Sequence, residues 1–423
     1  MPLPTRSLGI STGVLPAVSA ELPTVKAYAA AAITTTATKA IQKRFIRSRG
    51  PAYPAAGMTQ GEVSKLRLDT VETVSHFVEP PARGFVMKSF LKSFFALGLL
   101  AAASVSAAEL NVYSHRHYDS DAILFKQFTK ETGIKVNVVK GSADQLIQRL
   151  VSEGKNSPAD LLLTVDAGRL HRAKAAGVLQ PAKSKLLAKN VPASMRDPEG
   201  HWYGMTVRSR VLVYSKDRVK PSELSTYEAL AKPEWKGRVV ARSSSNIYNQ
   251  SLLASIIAAN GSDKALAWAK AIRKNMARSP RGSDRDQARA VAAGLADVAI
   301  MNTYYLGILA NSSVAADREV AAKVGVFFPN QDGRGAHINV SGGGVAVGSK
   351  SKKEAIRFLE FLTSAKSQET FGNVNHEYPV IIGNNKSELL KSWGSFKADD
   401  VNLSVLGAKN TEAVKLFDLA GWE

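Results

Sequence analysis

From residue 110 onward, short apolar runs alternate with longer stretches in which apolar positions recur every three or four residues. Runs at 110–114, 134–139 and 159–165 predict strands. The last is apolar almost throughout, as in strands covered on both faces of a parallel sheet. Between them, 121–132 carries Ile123, Leu124, Phe125 and Phe128, and the segment opened by Ser142 carries Leu146, Ile147, Leu150 and Val151. Both patterns predict helices, the second capped by Ser142. Asp166 predicts the cap of a third helix, ending near Gly177. The order β-α-β-α-β-α specifies an α/β fold with a parallel sheet.

A second series follows Trp202. A strand at 207–214 leaves the first unit, and further strands are predicted at 237–241, 296–301 and 324–328. Helices are predicted at 248–260 and 263–276. The segments 338–340 and 342–347 cross back, 352–371 has a strong apolar stripe, and 409–422 reads as an outer helix. Two parallel-sheet α/β lobes joined by crossing hinge strands predict a bilobal clamshell. Residues 109–206 and 337–385 form lobe 1; residues 207–336 and 386–423 form lobe 2. In open α/β sheets, ligands bind beyond the carboxyl ends of the strands, so the interlobe cleft is the expected site. The Gly342-Gly343-Gly344 run lacks the phosphate-loop lysine pattern. It predicts close backbone passage and bending at the hinge.

The segment before this series is of another kind. Lys88 and Lys92 precede a short apolar stretch at 93–103, and 104–108 supplies small residues for cleavage after Ala107 or Ala108. That order reads as a secretory signal peptide at 87–108, too short to span a bilayer as a helix. A signal peptide works at the start of a chain. Residues 1–86, rich in Ala, Thr, Ser and Pro, are therefore expected to be an upstream segment outside the real protein, with translation from Met87.

Composition narrows the chemistry. The 423 residues contain no cysteine, which removes disulfides, zinc thiolates, iron–sulfur clusters and cysteine nucleophiles together. The net charge of +20 divides into +7 before residue 109 and +13 from residue 109 onward, scattered and without a nucleic-acid motif, so no nucleic-acid partner is expected. No serine–histidine–acid arrangement, carboxylate pair or nucleotide loop appears, and an enzyme is not expected.

Tyrosines, in contrast, gather at strand ends. They stand in His115-Arg116-His117-Tyr118, in Ser243-Ser244-Ser245-Asn246-Ile247-Tyr248 and in Asn302-Thr303-Tyr304-Tyr305. Adjacent strand residues face opposite ways, so Tyr304 and Tyr305 can converge only where the chain turns into a helix. A phenol is neutral at pH 7, with a pKa of about 10, unless a bound metal displaces its proton. Ferric iron has the charge and hardness to do so, whereas zinc favours imidazole or thiolate and calcium or magnesium favours carboxylate and carbonyl oxygens. Tyrosine clusters with a histidine therefore point to Fe(III). The competing reading is an inorganic anion, sulfate, phosphate or thiosulfate, at the helix N-terminus after Ser243-Ser244-Ser245.

Taken with Thr164-Val165-Asp166-Ala167-Gly168-Arg169-Leu170, these segments resemble the iron(III)-binding periplasmic proteins of ferric ABC importers, the bacterial transferrins. The resemblance covers nearly all of 109–423. It implies a type II periplasmic binding protein clamshell, a periplasmic location, a monomer, and delivery of iron to an inner-membrane ABC permease. One branch of that family uses two tyrosines, a histidine, a carboxylate and a bound anion. Its carboxylate would fall near Val165, where this chain has no acid. The multi-tyrosine branch matches better, with Tyr118, Tyr248, Tyr304 and Tyr305 as ligands and His117 as a fifth. Four phenolates on Fe(III) leave a negative charge, for which Arg116, Arg208 and Arg210 are the expected neighbours.

Overall fold

The computed structural model describes residues 108–116 and 118–423. The segment 1–86, the signal peptide except its last residue, and His117 lie outside the described residues.

The chain opens with β1 (Glu109–Ser114), α1 (Asp119–Thr132), β2 (Lys135–Lys140), α2 (Ala143–Glu153), β3 (Leu161–Val165) and α3 (Ala167–Ala175). Ser142 starts α2 with a capping box shared with Gln145, and Gly133 ends α1 in the left-handed conformation. Next come β4 (Leu179–Gln180), α4 (Lys185–Asn190), β5 (Tyr203–Ser215), β6 (Val239–Val240), α5 (Ile247–Asn260), α6 (Ser262–Asn275), α7 (Asp284–Ala292) and β7 (Val298–Asn302). The remainder is α8 (Thr303–Ala310), α9 (Ala315–Lys323), β8 (Val324–Phe327), β9 (Ile338–Ala346), α10 (Lys352–Leu362), α11 (Ala365–Thr370), β10 (Tyr378–Pro379), α12 (Glu388–Ser392), α13 (Ser404–Ala408) and α14 (Asn410–Leu419).

The strands run in the order β2-β1-β3-β9-β5-β7-β6. Pairing is parallel in β2-β1-β3 and in β6-β7, but β9 and β5 run antiparallel to their neighbours. The expected pair of parallel sheets is thus a pair of mixed sheets, because the two crossing strands are built into them. Strand β5 serves both. Its first half pairs with β9 up to Ser209, and from Arg210 onward it pairs with β7 and β8. The chain changes sheets within Arg208-Ser209-Arg210.

The triple glycine lies inside β9, hydrogen-bonded on both sides. A Cβ at Gly342 would meet the Tyr203 carbonyl, one at Gly343 the Leu163 side chain, and one at Gly344 the His201 carbonyl. Close passage is therefore its reason, with ordinary extended backbone. The two predicted return segments form a single strand. The predicted helix at 352–371 breaks after Leu362, since Thr363 bonds back to the Leu359 carbonyl and Ser364 caps α11. A turn of π-helix then spans Phe371–Asn375. The strand predicted at 237–241 shrinks to two residues after Gly237, which sits at a φ of 74°.

The core runs through both sheets. Every residue of β3, β7 and β9 is buried, and Phe128 of α1 meets Phe358 of α10 edge-on at 4.8 Å. Among the described residues no helix is long and apolar enough to cross a membrane.

Candidate metal centre

Each clustered tyrosine stands where an element begins. Tyr118 occupies the extended position just before α1. Tyr248 lies in the first turn of α5, whose Asn246 accepts the Tyr248 amide at 3.0 Å. Tyr304 and Tyr305 lie in the first turn of α8, immediately after β7. The strand ends at Asn302, so these neighbours are separated by about 100° of helix rather than by the 180° of a strand. Both can therefore face the same cleft.

The rings do meet. The Tyr304 hydroxyl donates to the Tyr248 hydroxyl at 3.2 Å. Tyr118 approaches Tyr304 edge-on at 6.1 Å between centroids, and Tyr304 and Tyr305 lie 4.2 Å apart. Val165, Ile247 and Tyr248 form a small apolar cluster of their own, against which Tyr118 and Tyr305 pack. The position where an acid could have stood is thus an apolar wall. A cavity of about 300 Å³ opens from Tyr118, Tyr304 and Tyr305 toward Asp119 and Arg285 at the surface.

Beneath the rings lies a floor of guanidinium groups, those of Arg116, Arg208 and Arg210 buried and that of Arg242 partly exposed. Arg116 stacks 4.8 Å from the Tyr118 ring, Arg208 lies 5.9 Å from that of Tyr304, and Arg242 lies 5.8 Å from that of Tyr248. Arg116 pairs with Asp121 at 3.0 Å and with Glu377 at 3.4 Å. Arg208 donates to Ser341 at 2.7 Å and to Glu377 at 3.3 Å. Arg210 donates to Asn302 at 2.9 Å, to Asn249 at 2.5 Å and to the Ile300 carbonyl at 3.3 Å, and it pairs with Asp284 at 3.5 Å. Asn302 adjoins the helix of Tyr304, and Asn249 follows Tyr248, so Arg210 fixes two tyrosine-bearing turns to each other.

Burial drives the phenol pKa values of Tyr118, Tyr304 and Tyr305 well above the ordinary range. Next to burial, Glu377 and Tyr248 push Tyr118 further up, while Arg208 and Arg116 pull it down. Without a metal these groups are neutral. A cation that can displace their protons would receive hard anionic oxygens in a water-poor pocket.

Other expected features have structural occupations. Asp166, at a φ of 80°, caps α3 through the Gly168 amide and also accepts from Ser251 and Asn339 at 2.8 Å each. At the helix N-terminus after Ser243, Asn246 takes the Tyr248 amide, while Ser243 and Ser245 bond each other at 2.9 Å ahead of the helix. Among the described residues, one group of three His, Asp or Glu side chains could share an ion, namely Asp197, Glu199 and His201. Lys174 already lies 2.8 Å from Asp197 and 3.2 Å from Glu199. The sequence pattern did not disclose Glu377 or Asp284. Glu377 stands alone in its segment and Asp284 shares a helix start with Asp286, so each is recognisable only by the arginines folded against it.

A two-sheet clamshell with polar side chains converging in its cleft is the architecture of a solute-binding protein. The chain belongs to the bacterial extracellular solute-binding protein family, whose model matches residues 124–398. It is 51% identical over 315 residues to iron uptake protein A1 of Synechocystis sp., covering 74% of this chain and 88% of that protein. Among solved structures, it is similar to the Trichodesmium IdiA/FutA protein in complex with iron and citrate (53% identity, TM-score 0.73, 75% of this chain and 100% of the other). It is also similar to the ferric binding protein of Campylobacter jejuni (44% identity, TM-score 0.70, 74% and 100%). These neighbours share the bilobal type II periplasmic binding protein fold.

Proposed function

We propose that this protein captures ferric iron in the periplasm and delivers it to an inner-membrane ABC permease, acting as a monomeric carrier rather than as an enzyme. Tyr118, Tyr248, Tyr304 and Tyr305 supply phenolate ligands, and His117 supplies a fifth. Residues 109–206 with 337–385, and 207–336 with 386–423, are the two lobes that close on the ion. The observation that carries the reading is the convergence of four phenols, drawn from three separate turns, over buried arginines. Relatives whose names or titles are those of iron uptake and ferric iron-binding proteins support it. The anion reading is disfavoured because Asn246 already takes the Tyr248 amide at that helix terminus.

The test is optical. Purified protein mixed with ferric citrate should turn orange-red from phenolate-to-iron charge transfer, while sulfate or phosphate alone should leave it colourless. Tyr304→Phe and Tyr305→Phe should each weaken or abolish the band. A colourless wild-type protein under these conditions would overturn the reading.

A further inference from the structure

Glu377 is fully buried between the π-turn and β10, and it holds two arginines at once. One carboxylate oxygen accepts from Arg116 at 3.4 Å and from Asn375 at 3.3 Å; the other accepts from Arg208 and Ser341, both at 3.3 Å. Those two guanidiniums are the ones lying against the Tyr118 and Tyr304 rings. A pocket built only to favour phenolates would leave them unanswered, because an acid here opposes the negative charge that iron binding creates.

The balance of charge gives the acid a purpose. The guanidiniums of the floor belong to Arg116, Arg208, Arg210 and Arg242, and the carboxylates paired with them to Asp121, Asp284 and Glu377. This set carries one net positive charge. Fe(III) with four phenolates carries one negative charge, which lies against these paired arginines. Fe(II) with the same ligands carries one more negative charge, so a more cationic floor favours it and an acid within the floor disfavours it. Asp166, buried next to Val165, accepts only from the neutral donors Gly168, Ser251 and Asn339, so its charge adds to the acid side of the balance. Asp119 and Arg285 lie at the exposed mouth, where solvent screens them.

We infer that Glu377 sets the charge selectivity of the centre: acting through Arg116 and Arg208, it trims the positive charge that the floor presents to the phenolates and so favours a trivalent over a divalent ion. This rests on the phenolate reading above. Wild-type protein, Glu377→Gln, Arg208→Gln and the double variant are loaded with iron. Each is then titrated by spectroelectrochemistry on the charge-transfer band, an electrode and mediator supplying the single electron. Glu377→Gln should lower the preference for Fe(III) over Fe(II) about tenfold, a rise of about 59 mV for a one-electron couple. Arg208→Gln should shift the potential the opposite way, and the double variant should return close to wild type.

A merely structural role would weaken both oxidation states without reversing sign. Potentials that stay put, or shift alike in both single variants, overturn the proposal. Should Glu377→Gln fail to fold, the double variant must still lie about tenfold from Arg208→Gln, since the neutral Gln pair removes the unpaired charge. A wild-type protein without the band fails the phenolate reading itself; a coloured wild type with unmoved variants sinks only the role of Glu377.

Discussion

At the scale of single residues, the pocket is a set of phenols kept protonated by burial and waiting for a cation to take their protons. The sign of its pH dependence follows. Each Tyr118, Tyr304 or Tyr305 phenolate formed on iron expels a proton that the metal-free pocket holds tightly, so apparent Fe(III) affinity should rise with pH. Calorimetry in buffers of different ionisation enthalpy should find about four protons released per ion. The same shifts leave metal-free stability level up to about pH 10, where the unfolded chain begins to ionise its tyrosines, and lower it as pH rises further. The tyrosines were legible in the sequence because each sits at an element boundary that local patterning reveals. Glu377 was not, because it is 261 positions from Arg116 and 169 from Arg208, and no local pattern encodes such a partnership.

At the scale of elements, two junctions control how the rings are presented. Arg210 joins the end of β7 to the start of α5 and faces the buried Asp284. Arg210→Met would leave that acid with only Arg242 at 3.9 Å. Urea unfolding should show a loss of about 3–5 kcal/mol, with most of it recovered in the Arg210→Met/Asp284→Asn pair. Helix α8 seats against the π-turn segment through Gly307, where a Cβ would come within 2.5 Å of His376. Gly307→Ala should prevent that seating at a penalty of about 1–3 kcal/mol, seen as about tenfold faster iron loss in stopped-flow chelator competition. Sequence patterning located α1, α2, α3, α5 and α6, although α3 was marked by its Asp166 cap and α5, buried on nearly every face, has no single apolar stripe. It passed over α7, whose buried face is alanine with Asp284 and Gln287, and it ran α10 into α11 because Thr363-Ser364 interrupts the helix without interrupting the apolar pattern.

At the scale of the whole molecule, acid should loosen the fold. His171, His337 and His376 are all pressed below the usual imidazole range by burial, His337 further by Arg334, Arg210 and Arg208. The unfolded chain therefore binds their protons first. Stability should be lost as pH falls below about 6.5, and thermal melts at pH 7.5 and 5 should show it. Iron at about a thousand times its Kd should add about 4 kcal/mol at neutral pH by mass action. The clamshell class was readable from the order of strands and helices. The mixed pairing was not, since the partners of β5 and β9 are set by where distant strands come to rest.

The passage of β5 from one sheet to the other fixes how the molecule can move. Arg208 and Arg210 sit on either side of that passage, as though on an axle, while the aromatic rings ride out along the leaves. A swing about this axle would part the oxygens while leaving Arg208 and Arg210 almost where they were. Opening would thus withdraw attraction and keep the repulsion of those two guanidiniums, and an ion freed from its cage would face a slope that leads outward.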